Sequence, residues 1–316
     1  MLKEGSLLAN KWITNVPVAT LWTNAQSPRV IDEKGIKENP DLDAWIASLD
    51  YEKALELCDA NLVQSQLLYG EEVVVLEETD EWFHVVVPTQ PSSKHSGGYP
   101  GWVPKCQMVA CENWDVIQGP IAVVTAEKAQ LTKTNQVLTL SYLTILPFIS
   151  EKGELVRVQT PDGEGVLERS DVEIFSSRSD WSVKDGEKVI EAAEQFLDLP
   201  YFWGGMSSYG YDCSGLSYTA CKANGVIIPR DAHDQSVEGE EVSLDSLQRG
   251  DLLFFAYEEG KGALHHVGIY YGDGKLLHSP KTGKNVEIIP LAGTVYEKEL
   301  MAARRFWKKG EDSHAS

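Results

Sequence analysis

Residues 200–216 read Pro200-Tyr201-Phe202-Trp203-Gly204-Gly205-Met206-Ser207-Ser208-Tyr209-Gly210-Tyr211-Asp212-Cys213-Ser214-Gly215-Leu216. Beyond Cys213 the spacing is helical: Leu216, Ala220 and Cys221 share one face, and Gly225 stands where a helix would stop. Cys213 then falls in the first turn, with Asp212 as its N-cap. The position has a chemical consequence. A free thiol is only about 3% ionised at pH 7, and the thiolate is the nucleophile. A helix N-terminus and a nearby imidazolium both favour the thiolate, so a lowered Cys213 pKa is expected.

A thiolate nucleophile needs a base. Gly262-Ala263-Leu264-His265-His266-Val267-Gly268-Ile269-Tyr270-Tyr271 reads as a strand, on which adjacent side chains face opposite ways. One of His265 and His266 therefore faces the site and the other faces away. Gly272-Asp273-Gly274 makes a tight turn and returns His278 on the neighbouring strand. Cys213, an imidazole and a third polar group that orients the imidazole are the parts of a cysteine acyl-transfer site. A metal site on the three histidines would lack a carboxylate or cysteine at ligand spacing. The reading calls for no metal and no cofactor.

Outward from this segment, Gly186 to Leu197 forms an amphipathic helix that ends before Pro200. Residues 11–30 and 61–110 alternate as short strands, with turn residues about every ten positions. Between them, Asn39-Pro40-Asp41 starts a helical insertion over 39–60, where Leu42, Trp45, Ile46 and Leu49 keep helical spacing. Residues 117–175 repeat the strand pattern, which reads as a second, diverged copy of one small β-barrel. The expected units are a barrel with a helical insertion over 1–112, a second barrel over 113–178, a catalytic domain over 179–310 and a tail over 311–316.

Composition restricts the function. The 316 residues carry 28 Lys and Arg against 48 Asp and Glu, a net charge of −20. That balance speaks against nucleic acid and against anionic membranes as partners, since both require clustered Lys and Arg. The five cysteines are odd in number and sparse, without a CxxC pair, which fits reduced thiols rather than a disulfide framework. Cys58, Cys106, Cys111 and Cys221 read as filler. The N-terminal MLKEGSLLANKW lacks the apolar run of a secretory signal, so a cytoplasmic location is expected, the alternative being secretion with the signal already removed.

Six motifs then stand in order: Tyr201 to Gly205, Asp212 to Leu216, Ile228 to Asp231, Arg249 to Phe255, His266 to Gly274 and Leu277 to Ser279. Together they resemble the NlpC-type cell-wall cysteine peptidases, and the strand-rich units before them resemble bacterial SH3 domains. The resemblance implies an α+β chain: two small SH3-like β-barrels followed by a papain-like α+β peptidase domain. It assigns Cys213 as nucleophile, His266 as base and His278 as third member. Trp203 is expected to line the cleft, and Asp212 and Ser214 to touch the substrate.

The SH3-like pair narrows the resemblance to γ-D-glutamyl-L-diamino-acid endopeptidases. These cut murein peptides between γ-D-Glu and diaminopimelate or Lys. In the branch without a signal peptide the substrate is a free L-Ala-γ-D-Glu-diamino-acid peptide from wall recycling, and the first barrel reads its α-amine. The matching positions here are Tyr99, Asp231 and an acid after Leu68-Tyr69-Gly70, either Glu71 or Glu72. Strand alternation turns only one of these two inward. A monomer is expected. The competing readings are a wall-peptide-binding protein without activity, and an amidase or acyltransferase on the same scaffold.

Overall fold

Residues 11–111 build a seven-stranded antiparallel sheet. Its strands are Lys11–Thr14, Val18–Trp22, Val63–Leu68, Glu72–Glu78, Trp82–Val87, Tyr99–Pro104 and Met108–Cys111. Residues 121–175 build a second, from Ile121–Val124, Lys128–Thr132, Val137–Ser141, Ile145–Lys152, Leu155–Thr160, Gly163–Glu168 and Val172–Phe175. With strands numbered along the chain within each sheet, both sheets have the order 3-2-6-5-4-1-7. The shared order is what a duplicated SH3-like module requires. The computed structural model describes residues 11–307, so the expected tail 311–316 lies outside the described residues.

The helical insertion sits between the second and third strands of the first module. It comprises Glu33–Ile36, Leu42–Ser48 and Tyr51–Asp59. Asp41 and Asp50 cap the last two, each accepting a backbone N–H at 3.0 Å. Trp45 is fully buried and packs edge-on against Phe202, with ring centroids 5.5 Å apart. The insertion thus reaches the segment just before Cys213.

The third unit sets the helices Gly186–Glu194 and Cys213–Ala223 against a six-stranded antiparallel sheet. In spatial order its strands are Glu240–Val242, Leu300–Arg305, Leu252–Ala256, Leu264–Gly272, Lys275–His278 and Glu287–Pro290. Leu216, Ala220 and Cys221 of the second helix pack on Phe254, Val267 and Ile269. A cysteine-bearing helix on an antiparallel sheet that carries the histidines is the papain-like arrangement the sequence implied. Among the described residues, no helix is long and apolar enough to cross a membrane.

Both modules are fused to this unit. Ile121, Val123, Tyr142 and Leu143 of the second module share one core with Phe196, Tyr211 and Leu216. Each such large apolar side chain contributes about 1.5–3 kcal/mol when fully buried. The first module is joined by polar contacts as well. Gln66 Oε1 accepts the Met206 N–H at 2.9 Å and the Ser207 hydroxyl at 2.8 Å. The Trp203 indole donates to the Val63 carbonyl at 3.1 Å, and Arg230 Nε to Ser65 Oγ at 3.0 Å.

Candidate active site

Cys213 opens the helix Cys213–Ala223, as the sequence predicted, and Gly225 beyond its end has φ +78°. Asp212 caps it by accepting the Gly215 N–H at 2.6 Å. The same carboxylate accepts the Gly204 N–H at 3.0 Å and both terminal nitrogens of Arg230, at 2.7 and 3.2 Å. Arg230 also donates to Ser214 Oγ at 2.8 Å. Asp212 was expected to touch substrate. Its side chain is held by these partners and fixes the Cys213 turn, and the residue also lines the cleft that holds Cys213. Ser214 lies beside it at the wall of the same cleft.

His266 and His278 come together through the hairpin. Gly272 pairs with Lys275, so Asp273 and Gly274 form a two-residue loop, with φ +50° and +69°. Two positive φ angles give the type I′ turn that matches strand twist. His266 Nε2 then lies 2.8 Å from His278 Nδ1. His278 Nε2 lies 3.5 Å from Glu287 Oε1. If His266 donates its Nε2 proton to His278, its Nδ1 is left as the basic nitrogen. Gly268 makes room for this pair, since a Cβ there would meet His278 Cβ at 3.0 Å and Leu276 Cδ1 at 2.6 Å.

The electrostatics correct one expectation. Burial, and then the Asp212 carboxylate, push the Cys213 thiol up to about 12, against the pull of the Val267 and Ser214 N–H groups. Burial and the neighbouring His278 hold His266 well below the usual imidazole value. Burial alone lowers His278 to about 4. The resting site therefore combines a protonated thiol with a neutral imidazole. The helix N-terminus favours a thiolate, but desolvation of the sulfur outweighs it.

The cleft holding Cys213 has a volume of about 250 Å³. Trp203 lines it, as expected, while its indole nitrogen ties the cleft floor to the first module. Tyr99 and Asp231 line it too. The Tyr99 hydroxyl donates to Asp231 Oδ1 at 2.9 Å, with Oδ2 at 3.1 Å. Burial and Asp231 both raise the Tyr99 pKa, so the phenol keeps its proton.

Glu71 is absent from the cleft. Its Oε1 lies 3.2 Å from Lys222 Nζ, and its Oε2 accepts the Leu68 N–H at 3.0 Å. Lys222 is nine residues after Cys213, roughly 13 Å down the helix axis. The strand Val63–Leu68 runs beside this helix and turns at Gly70, φ +84°, which carries Glu71 to the far end. Glu72 is no substitute, since it pairs with Lys11 at 2.8 Å. In the cleft, Gln64 from the near end of that strand stands beside Tyr99.

His265 sits beside the His266–His278 pair. Phe255 pairs with His266 and Ala256 with Leu264, so His265 is the extra residue of a β-bulge. It stacks on Tyr257 at 4.1 Å, binds Glu299 Oε2 at 3.0 Å and reaches the cleft wall. Simple alternation would have turned it away.

Residues 198–305 match the family model described as "NlpC/P60 family", and residues 124–175 match "YKFC SH3b2 domain". The chain is 44% identical to the γ-D-glutamyl-L-lysine dipeptidyl-peptidase of Bacillus subtilis, over 91% of this chain and 96% of that one. It belongs to the NlpC/P60 family. A Bacillus cereus protein of the same name is 38% identical over 94% of this chain and 91% of that one. The crystal structure of an NlpC/P60 family protein from Bacillus cereus superposes with a TM-score of 0.91, covering 94% of this chain and all of that one. The protein is accordingly a cysteine peptidase of this family.

Within the NlpC/P60 domain, sequence reading passed over Arg230, although the Ile228–Asp231 motif contained it. It also passed over Gln64. The signal there was the polar triplet Gln64-Ser65-Gln66 inside an apolar strand, of which all three side chains contact the catalytic unit or its cleft. Lys94 carried no signal, because it lies in the polar loop between the fifth and sixth strands of the first module.

Proposed function

We propose that the protein is a γ-D-glutamyl dipeptidyl-peptidase acting on short murein peptides that carry a free N-terminal L-Ala. The observation that carries this reading is an acceptor cluster, Asp231, Tyr99 and Gln64, in the same cleft as Cys213. An ammonium held there gains charge-assisted hydrogen bonds, each worth about 1.5–3 kcal/mol. An acylated or glycan-linked peptide lacks that charge and gains none of these bonds. The amine belongs to the second residue before the bond, so the released product is a dipeptide. The leaving diamino acid is L-Lys or diaminopimelate.

In this reading Cys213 Sγ attacks the γ-glutamyl carbonyl while His266 takes the thiol proton. The opposite charges so formed stabilise each other. The Cys213 N–H at the helix start helps hold the oxyanion. His266 returns the proton to the leaving amine, and water then releases the dipeptide. His278 holds the His266 ring through its Nε2. Such a cleft suits soluble peptides recovered during wall turnover, in keeping with a cytoplasmic location.

The test supplies L-Ala-γ-D-Glu-L-Lys, free and N-acetylated, and follows products by mass spectrometry. Free lysine and L-Ala-γ-D-Glu should appear from the first peptide at least tenfold faster than the corresponding products from the second. Cys213→Ala should release neither. Equal turnover of both peptides would overturn the reading.

A further inference from the structure

We propose that Lys94 is an internal stand-in for the substrate ammonium, occupying the amine pocket until a peptide displaces it. The inference rests on the amine-reading function proposed above. Lys94 Nζ lies 2.9 Å from Asp231 Oδ2 and 3.1 Å from Gln64 Oε1. It donates to the Tyr99 hydroxyl and sits 4.4 Å from the centre of that ring. These are the acceptors to which a substrate ammonium would bind. A lysine ammonium and an N-terminal ammonium both present three donors on one cationic nitrogen, so each satisfies the set in the same way.

Charge balance makes the two mutually exclusive. The cluster holds one carboxylate, Asp231; Gln64 is neutral and Tyr99 keeps its proton. With Lys94 in place the cluster is neutral. Adding a substrate ammonium would bring two cations to one carboxylate, with no acceptor left over. Had Glu71 been a member, a second carboxylate could have accommodated both. Its pairing with Lys222 at the far end of the helix removes that option.

The loop is built so that only the side chain needs to move. Its backbone is pinned on the catalytic unit, where the Arg230 N–H donates to the Pro91 carbonyl at 2.9 Å and the Ser93 N–H to Asp234 Oδ2 at 2.9 Å. Gly98, φ +122°, closes the loop so tightly that a Cβ would meet the Val87 carbonyl oxygen at 2.1 Å. The Lys94 side chain, by contrast, is 43% exposed. Its flexible stem can carry the ammonium into water at little loss, since half-exposed ion pairs are weak. The lysine thereby keeps Asp231 paired in the free protein and sets a threshold that substrate must exceed.

The experiment compares wild type with Lys94→Met and Lys94→Ala on L-Ala-γ-D-Glu-L-Lys and its N-acetyl form. With the plug removed, KM for the free peptide should fall at least threefold, and the change should fall on KM rather than kcat. In the Cys213→Ala background, calorimetry with the same peptide should show correspondingly tighter binding in the Lys94 variants. If wild type prefers the free peptide and Lys94→Met leaves KM unchanged or raises it, the stand-in proposal falls alone and the amine-reading function survives. If wild type shows no preference for the free peptide, the function itself falls and takes the proposal with it.

Discussion

Arg230 and Asp212 form a buried two-point ion pair, Nη2 to Oδ2 at 2.7 Å and Nη1 to Oδ1 at 3.2 Å, with side chains 1% and 9% exposed. The pair links three segments. Asp212 begins the Cys213 helix, Arg230 ends the loop before Asp231, and Arg230 Nε reaches Ser65 of the first module. Burial opposes the charge on Arg230, and Asp212 together with Tyr99 and Asp231 outweighs it, keeping the guanidinium protonated.

Arg230→Met should therefore destabilise the protein by about 3–5 kcal/mol, because it strands a buried carboxylate. Arg230→Lys should recover only part of that, since an ammonium cannot reproduce the planar two-point contact. Urea denaturation checks this through the midpoint at constant slope. A loss below about 1 kcal/mol for Arg230→Met, within the range of exposed pairs, would show that the pair is not a structural joint.

The imidazole pair makes a pH prediction. His266 works as a base only when neutral. Its pKa is held well below 6.5 by burial and then by His278, so it stays neutral to a pH well under that of a free imidazole. The acid limb of kcat/KM should thus lie below pH 6.5. His278→Gln removes one cause of the lowering, so the limb should move up in pH. The same variant should reduce kcat at least tenfold, because the His266 ring loses the partner that orients it. A profile measured from pH 4 to 8 decides the matter: an acid limb near 6.5 in wild type, or a downward shift in the variant, would contradict this proton assignment.

How much of this was legible in the sequence follows from what each residue depends on. The order of the two seven-stranded modules, the Cys213 helix and the His266–His278 hairpin rest on local periodicity and turn chemistry, which a sequence displays. The resting state of Cys213 does not. A helix N-terminus is visible in the chain, whereas the burial that outweighs it comes from strands and loops far away in sequence. The position of His265 was not legible, because a bulge breaks the two-residue alternation of its strand. Lys94 and Gln64 are 30 residues apart and meet only when the first module closes the cleft, so neither spacing nor composition marks them as a pair.

Glu71 supplies the sharpest contrast between the two levels of reading, and a final prediction. Its sequence position beside Leu68-Tyr69-Gly70 suggested a substrate contact, but its carboxylate is joined to Lys222, with side chains 13% and 6% exposed. Burial pulls the Lys222 ammonium down, and Glu71 opposes that pull. Glu71→Gln should therefore cost at least about 2 kcal/mol of stability, since it leaves a buried ammonium without its counter-charge. The double variant Glu71→Leu with Lys222→Met should recover most of the loss, as apolar replacements of buried pairs often do. Neither change should alter the ratio of rates on free and N-acetylated peptide, because neither group reaches the cleft. Thermal unfolding of the variants, paired with that rate ratio, tests both halves. A collapse of the ratio in Glu71→Gln with stability intact would return Glu71 to the amine pocket.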